Sequence, residues 1–202
     1  MSDNLPLSGR RIALPESREL DLFADMLLKR GAQVLRCPLV SIHDAPDQQP
    51  VQEWLVRFTN EPWDDFIALT GEGIRRLLAA AERAGGTLRE DFIARLGQVR
   101  KITRGPKPGA ALRAIGLKAD LVAVEPTTEG VIRTLADESL QGRRIAVQLY
   151  GTDPNPTLMD FLRQAGAVTA PVAPYVHADD VENRQVEELI QELGSGTLDA
   201  IA

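Results

Sequence analysis

Three short segments hold the residue types from which an anion site is most readily built. They are Thr70-Gly71-Glu72-Gly73, Arg104-Gly105-Pro106-Lys107 and Pro126-Thr127-Thr128-Glu129-Gly130. Each lies between an apolar run and an amphipathic stretch, so each reads as a strand-to-helix corner. At a helix start the first N–H groups lack partners and the dipole adds partial positive charge, which suits carboxylates or phosphates. In parallel α/β sheets, ligands gather beyond the carboxyl ends of the strands. Thr70, Gly71, Gly73, Arg104, Gly105, Lys107, Thr127 and Thr128 are therefore the candidate binding residues. Taken singly, each corner reads as an ordinary tight turn with a cap, and Thr127 or Thr128 with Glu129 would suit capping alone; it is several corners on one edge of a sheet that suggest an anion-binding cleft. Arg100, Lys101, Arg104 and Lys107 cluster around the second corner of a chain whose net charge is -6. Alternation along strand 99–103 sends Arg100 and Lys101 to opposite faces. Arg104 and Lys107, beyond the strand end, are left for a cleft.

Other chemistry is thinly represented. The sequence holds no G-x-S-x-G, H-E-x-x-H or G-x-x-x-x-G-K-[ST]. His43 and His177 each follow the second strand of a repeated unit; they either line one cleft or decorate surface linkers. A single cysteine, Cys37, lies in an apolar run and reads as a small core residue, and no metal-ligand spacing is present. With 4% aromatic residues and a negative net charge, neither a base-stacking platform nor a non-specific nucleic-acid surface is expected. No run approaches a membrane span and the start MSDNLPLSGRR lacks a signal-peptide core, so a cytoplasmic protein is expected. A monomer without metal is the expected state.

The elements that must position these corners alternate along the chain. GRRIAL at 9–14 recurs as GRRIAV at 142–147. Each copy leads through a polar loop to an amphipathic stretch, at 20–34 and 158–169, that ends near a glycine, Gly31 or Gly166. Apolar runs follow, VLRCPLVSI and VTAPVAPYV, so the unit is β-α-β and occurs twice. Between the copies, a helix over PDQQPVQEWLVRFTNEP precedes the strand DDFIALT (64–70) and the helix of TGEGIRRLLAAAERAG. Then come strand QVRKITRG, helix PKPGAALRAIG, strand ADLVAVEP and helix TTEGVIRTLADESL. Alternation of this kind predicts parallel strands in a three-layer α/β arrangement. After the second copy, VENRQVEELIQEL predicts a helix, and LDAIA (198–202) matches DDFIA. The second programme breaks off there, so the sequence reads as a fragment or truncated form of a longer chain.

The ordered set GRRIAL, KRGAQV, DDFIALTGEG, ITRGPKPGAALRAIGLKADLVAVEPTTEGVI and GRRIAV…AGAV…PYV resembles the uroporphyrinogen-III synthases along essentially the whole chain. Segment 102–132 is the most specific part, because the family commonly has a Gly-Pro-x-Thr-x-x-x-Leu helix start followed by a Glu-Pro-Thr-x-Glu-Gly turn. The resemblance implies two three-layer α/β/α lobes with parallel sheets, internally duplicated and segment-swapped, joined by a two-strand linker. Residues 1–40 plus 177–202 would form an incomplete first lobe, and 45–173 the second.

The resemblance also implies an activity without cofactor. Hydroxymethylbilane, a linear tetrapyrrole with eight carboxylates, loses its hydroxyl, inverts ring D through a spiro intermediate and closes as uroporphyrinogen III, on the way to heme and siroheme. The partner would be that small polycarboxylate. The family tyrosine falls on Tyr175, which would assist departure of the hydroxyl. Two departures stand out: the family's Thr-Ser is Thr70-Gly71 here, and the threonine of Gly-Pro-x-Thr is Pro108. Such changes resemble divergent members associated with nitrate-assimilation regulation, some fused to a DNA-binding module. A non-catalytic, ligand-sensing module is therefore the alternative reading.

Overall fold

The computed structural model describes residues 5–16, 19–38, 42–177 and 182–202. The chain runs β1 (Arg11–Leu14), α1 (Leu20–Leu28), β2 (Gln33–Arg36), β3 (Ile42–Asp44), α2 (Gln49–Asn60), β4 (Asp65–Ala68), α3 (Gly71–Ala84) and α4 (Leu88–Gln98). It continues with β5 (Arg100–Thr103), α5 (Pro106–Arg113), β6 (Leu121–Val122), α6 (Thr128–Leu135), β7 (Arg144–Gln148) and α7 (Pro156–Gln164). The last elements are β8 (Val168–Val172), β9 (Tyr175–His177), α8 (Glu182–Gly194) and β10 (Ala200–Ile201). Two compact units result, Asp44–Val176 and Met1–His43 with His177–Ala202.

In the larger unit a five-stranded sheet has the order β6-β5-β4-β7-β8, and every described pairing is parallel. Strands alternate their side chains between two faces. Phe66 and Ala68 enter one core with Trp54, Phe58, Leu77 and Phe92, beneath α2 to α5. Ile67 and Leu69 enter the other with Val131, Ile145, Val147, Leu158 and Leu162, beneath α6 and α7. Helices therefore cover both faces, as an all-parallel sheet requires. Each fully buried large side chain contributes about 2 kcal/mol, so these two layers set the stability of the unit. The order matters for function. From β4 the chain builds outward through β5 and β6, then returns to lay β7 on the other side of β4. In parallel α/β sheets such a reversal, here beyond the carboxyl ends of β4 and β7, marks the crevice where ligands usually bind.

The amino edge of the same sheet is closed by charge. Asp65 is completely buried; its carboxylate accepts from Arg100 at 2.5 Å and from Arg143 at 2.6 and 2.9 Å. Arg100 also binds Glu138 at 2.5 Å. Arg144 pairs with Glu61 and lies 4.9 Å over the Trp63 ring. Arg100 and Lys101, as the alternation predicts, take different partners: Lys101 donates to Asp120 at 2.8 Å and to the Val99 carbonyl at 2.8 Å.

In the smaller unit three parallel strands have the order β10-β1-β2, with Ile12 opposite Ala200 and Val34. Ala13, Cys37 and Leu189 form its core. Where the chain passes between the units, β3 and β9 form a two-stranded sheet, extended by Ala45 N–H donating to the Pro174 carbonyl at 3.3 Å.

Several expectations change in detail. Helix α4 has no counterpart in the sequence reading: only Phe92 and Leu96 are buried, and charged residues interrupt its apolar stripe. The run VLRCPLVSI is not one strand. β2 ends at Arg36, Cys37 follows it buried, and β3 starts at Ile42; residues 39–41, Val40 among them, lie outside the described residues. The glycines after α1 and α7 do adopt positive φ, 92° at Gly31 and 80° at Gly166. Beside them Ala32 N–H reaches the Leu27 carbonyl and Ala167 N–H the Leu162 carbonyl, the six-residue closure of a helix end.

Candidate functional site

The crevice between β4 and β7 is lined by residues from four strand ends. After β4 the backbone is extended at Thr70, φ -140° and ψ 149°, and its hydroxyl caps α3 by accepting from Gly73 N–H at 2.9 Å. Across the crevice Gln148, the last residue of β7, is fully buried. Its Oε1 accepts from Thr70 N–H at 3.0 Å and lies 3.4 Å from Thr70 Oγ1. Its Nε2 donates to Thr70 Oγ1 at 3.2 Å and to the Leu149 carbonyl. From β9, Tyr175 brings its phenol to the same hydroxyl, donating to Thr70 Oγ1 at 3.2 Å.

Tyr175 is only 1% exposed. Burial raises its phenol above the ordinary range, since it penalises the phenolate. The hydrogen bond with Thr70 and the one from the Gly151 N–H, together with the positive charge of Arg104, work in the opposite direction without reversing it. The group is thus a neutral proton donor at ordinary pH, with partners already in place for its anion.

Two glycines permit this closeness. A Cβ at Gly73 would lie 1.9 Å from Gln148 Nε2, and one at Gly71 would lie 2.7 Å from the Lys107 carbonyl. The second contact joins the first and second corners: α5 starts so close to α3 that a side chain at 71 has no room beside Lys107 and Pro108. Gly71 and Pro108, separate departures in the sequence, meet at one contact. Pro106 and Pro108 also remove two N–H groups from the first turn of α5, so the second corner is a weaker anion cradle than its position suggests. Gly71 and Glu72, at the first two positions of α3, have N–H groups without acceptors in the helix. Glu72 itself is held by Arg76 at 2.7 Å and Arg75 at 2.8 Å.

Arg104 is half-buried, its guanidinium 5.5 Å from the centre of the exposed Tyr150 ring. Gly105 lets this corner approach the third, since a Cβ there would meet Pro126 at 3.0 Å. Lys107 points to solvent. At the third corner the Thr127 hydroxyl caps α6 by accepting from Gly130 N–H at 3.0 Å. The Thr128 hydroxyl accepts from Asn155 Nδ2 at 2.9 Å. Asn155, left-handed at φ 46°, caps α7 through Leu158 N–H at 3.3 Å. These hydroxyls are engaged in building the rim. Among the described residues no group of three or more His, Cys, Asp and Glu is arranged to hold a metal. No helix there is long and apolar enough to cross a membrane.

Residues 21–202 match the family described as Uroporphyrinogen-III synthase HemD. The chain belongs to the uroporphyrinogen-III synthase family. It is 32% identical over 195 residues to the uncharacterized protein YjjA of Bacillus subtilis, covering 96% of this chain and 70% of that protein. Among solved structures it resembles a mutant uroporphyrinogen III synthase of the extremely thermophilic bacterium Thermus thermophilus, at 28% identity and a TM-score of 0.68, over 95% of this chain and 71% of the other. The wild-type Thermus enzyme in a second crystal form gives a TM-score of 0.59 at the same identity, over 95% and 70%. The α/β fold with parallel sheets is thus that of the synthases.

Within this family frame, the structure joins Thr70 and Tyr175 by a hydrogen bond with Gly73 at the same corner, sets Gly71 against Lys107 and Gly105 against Pro126, places Arg104 over Tyr150, and engages Thr127 and Thr128 in bonds of the third corner. Sequence reasoning missed Gln148, Gly151 and Asn155. Gln148 had a readable signal, a polar amide closing the otherwise buried run Ile145-Ala146-Val147. Asn155 had another, standing before Pro156 at the start of an amphipathic stretch.

Proposed function

We propose that this protein binds a linear tetrapyrrole polycarboxylate in the crevice and closes hydroxymethylbilane to uroporphyrinogen III with inversion of ring D. The observation that carries the reading is the buried Tyr175 phenol, hydrogen-bonded to Thr70 where the strand order reverses. In the reaction, the C–O bond to the terminal hydroxyl breaks as the Tyr175 proton passes to that oxygen, and water leaves. The phenolate accepts from Gly151 N–H and faces the Thr70 hydroxyl, while the cationic pyrrole remains in a largely buried site where its charge and the phenolate attract. After ring closure the macrocycle gives up a proton, and the phenol is restored. Arg104 and the first N–H groups of α3 hold substrate carboxylates, and their main contribution is to impose one folded conformation.

A second reading is a non-catalytic module of the same fold that senses a tetrapyrrole or another small anion within a regulatory protein. The Gly71–Lys107 contact and the prolines of α5 favour it, because they narrow and weaken the second anion cradle. A coupled assay with freshly generated hydroxymethylbilane separates the two readings. Isomer III is expected, with Tyr175→Phe slowing its formation about 100-fold. Isomer I alone overturns the enzyme reading, and unchanged turnover in Tyr175→Phe removes that residue from the proposed role.

A further inference from the structure

We propose that Gln148 is a positioning residue which, by offering the Thr70 hydroxyl both an acceptor and a donor, lets that hydroxyl serve the Tyr175 phenol before and after proton transfer. This deepens the proposed function and rests on Tyr175 being the proton donor.

The hydrogen-bond inventory of Thr70 carries the inference. A threonine hydroxyl has one proton and two acceptor sites. Three donors converge on Thr70 Oγ1: Gly73 N–H at 2.9 Å, Tyr175 Oη–H at 3.2 Å and Gln148 Nε2 at 3.2 Å. One donor is therefore in surplus. With Tyr175 protonated, Gly73 and Tyr175 fill the two acceptor sites, and the Thr70 proton points to Gln148 Oε1, 3.4 Å away. When the phenol proton leaves for the substrate, Gln148 Nε2 fills the vacated site. The Thr70 proton then turns to the phenolate, which also accepts from Gly151 N–H. Only one Oη–H bond breaks, and only one hydroxyl rotates.

The exchange needs an amide. A carboxylate at 148 would accept the Thr70 proton and keep it; an aliphatic side chain would offer nothing in either state. The surroundings hold the amide in place: Gln148 is fully buried, Thr70 N–H fixes its oxygen, the Leu149 carbonyl fixes its nitrogen, and Gly73, without a Cβ, leaves it the space it fills. A fully paired buried network of this kind defines one geometry.

The test uses Gln148→Glu. The chain has two tyrosines, so Tyr150→Phe protein grown on 3-fluorotyrosine carries a single label at position 175, whose titration is followed by fluorine NMR. Gln148→Glu is expected to move that midpoint up by roughly one pH unit. Placed in a Thr70→Val background, the same substitution is expected to move it by less than half as much, because the hydroxyl that relays the effect is gone. Equal shifts in both backgrounds mean through-space charge alone and overturn the relay. Thr70→Val by itself must also raise the midpoint, and an unmoved value there overturns the proposal even if Gln148→Glu fails to fold. In the isomer III assay, Gln148→Glu should lower kcat at least about tenfold with KM nearly unchanged. If the titrations couple as expected while no variant and no parent yields isomer III, the relay stands and the synthase reading fails.

Discussion

The segments β1-α1-β2 and β7-α7-β8 share one hydrogen-bonding scheme and differ in what surrounds it. In the first, Arg11 N–H donates to Asp199 Oδ2 at 2.8 Å while Asp199 N–H reaches the Arg11 carbonyl at 2.8 Å. In the second, Arg144 and Asp64 repeat both bonds at 2.8 and 2.9 Å. Gln33 N–H meets the Arg10 carbonyl as Val168 N–H meets that of Arg143. Packing then separates them. Leu158 and Leu162 of α7 are fully buried against α6, whereas the matching Phe23 and Leu27 of α1 are half-buried, and Leu22, Met26 and Leu28 are exposed. Helix α7 has a side-chain cap in Asn155; α1 is preceded by Glu19, left-handed at φ 51°, whose side chain makes no capping bond. β4 beside β7 is wholly buried, while β10, in the matching place beside β1, is exposed. A β-α-β unit thus specifies its own ladder, and its burial depends on neighbouring layers. Chemistry follows the burial: in register with Gln148, the first segment has Pro15, which carries no amide side chain to reach a hydroxyl.

The largest test of this contrast is Asp65→Ala. Asp65 pairs in register with Ile145, and its counterpart opposite Ile12 is already Ala200. The substitution strips the carboxylate from Arg100 and Arg143, and about 3 kcal/mol should be lost from the larger unit. Both tryptophans, Trp54 and Trp63, lie in that unit, so their fluorescence during urea unfolding reads it directly. A loss below about 1 kcal/mol would mean that the neighbouring charge does not distinguish the segments.

Asn155→Ala is expected to cost about 1 kcal/mol by the same measurement, because it removes the α7 cap and the bond to Thr128. It should also loosen the third corner, seen as faster hydrogen exchange at Gly130. If neither changes, capping is no part of the difference.

The smallest effect is at Asp199. Its carboxyl is held below the usual carboxylate range, chiefly by Arg11 N–H and then by the Arg10 guanidinium. A lowered folded value means that its contribution is complete above the unfolded value near 3.8 and is lost as pH falls through the folded one. The urea midpoint of the smaller unit, followed at the Arg11 amide resonance, should therefore decline on acidification below about pH 4. Asp199→Asn should flatten that decline. An unchanged slope would place the acid sensitivity elsewhere.

Read alone, the sequence determined the alternation of strands and helices, because apolar period and turn residues are local properties. It also determined the three corners and Tyr175 as points of interest, through residue type and resemblance. It could not see α4, whose stripe is broken by charge, nor the register of β10. DDFIA offers two adjacent aspartates, and matching by letters aligns Asp199 with Asp65. The ladder pairs Arg11 and Asp199 as it pairs Arg144 and Asp64, a choice made by one backbone N–H. Gly71 and Pro108 were two separate departures until the tertiary structure put α5 against α3. Gln148 was one polar letter at the end of an apolar run, and its meaning depended on Thr70, 78 positions away. Hydrogen bonds between distant segments have no local pattern, so the fold was largely legible while the wiring of its crevice was decided only by packing.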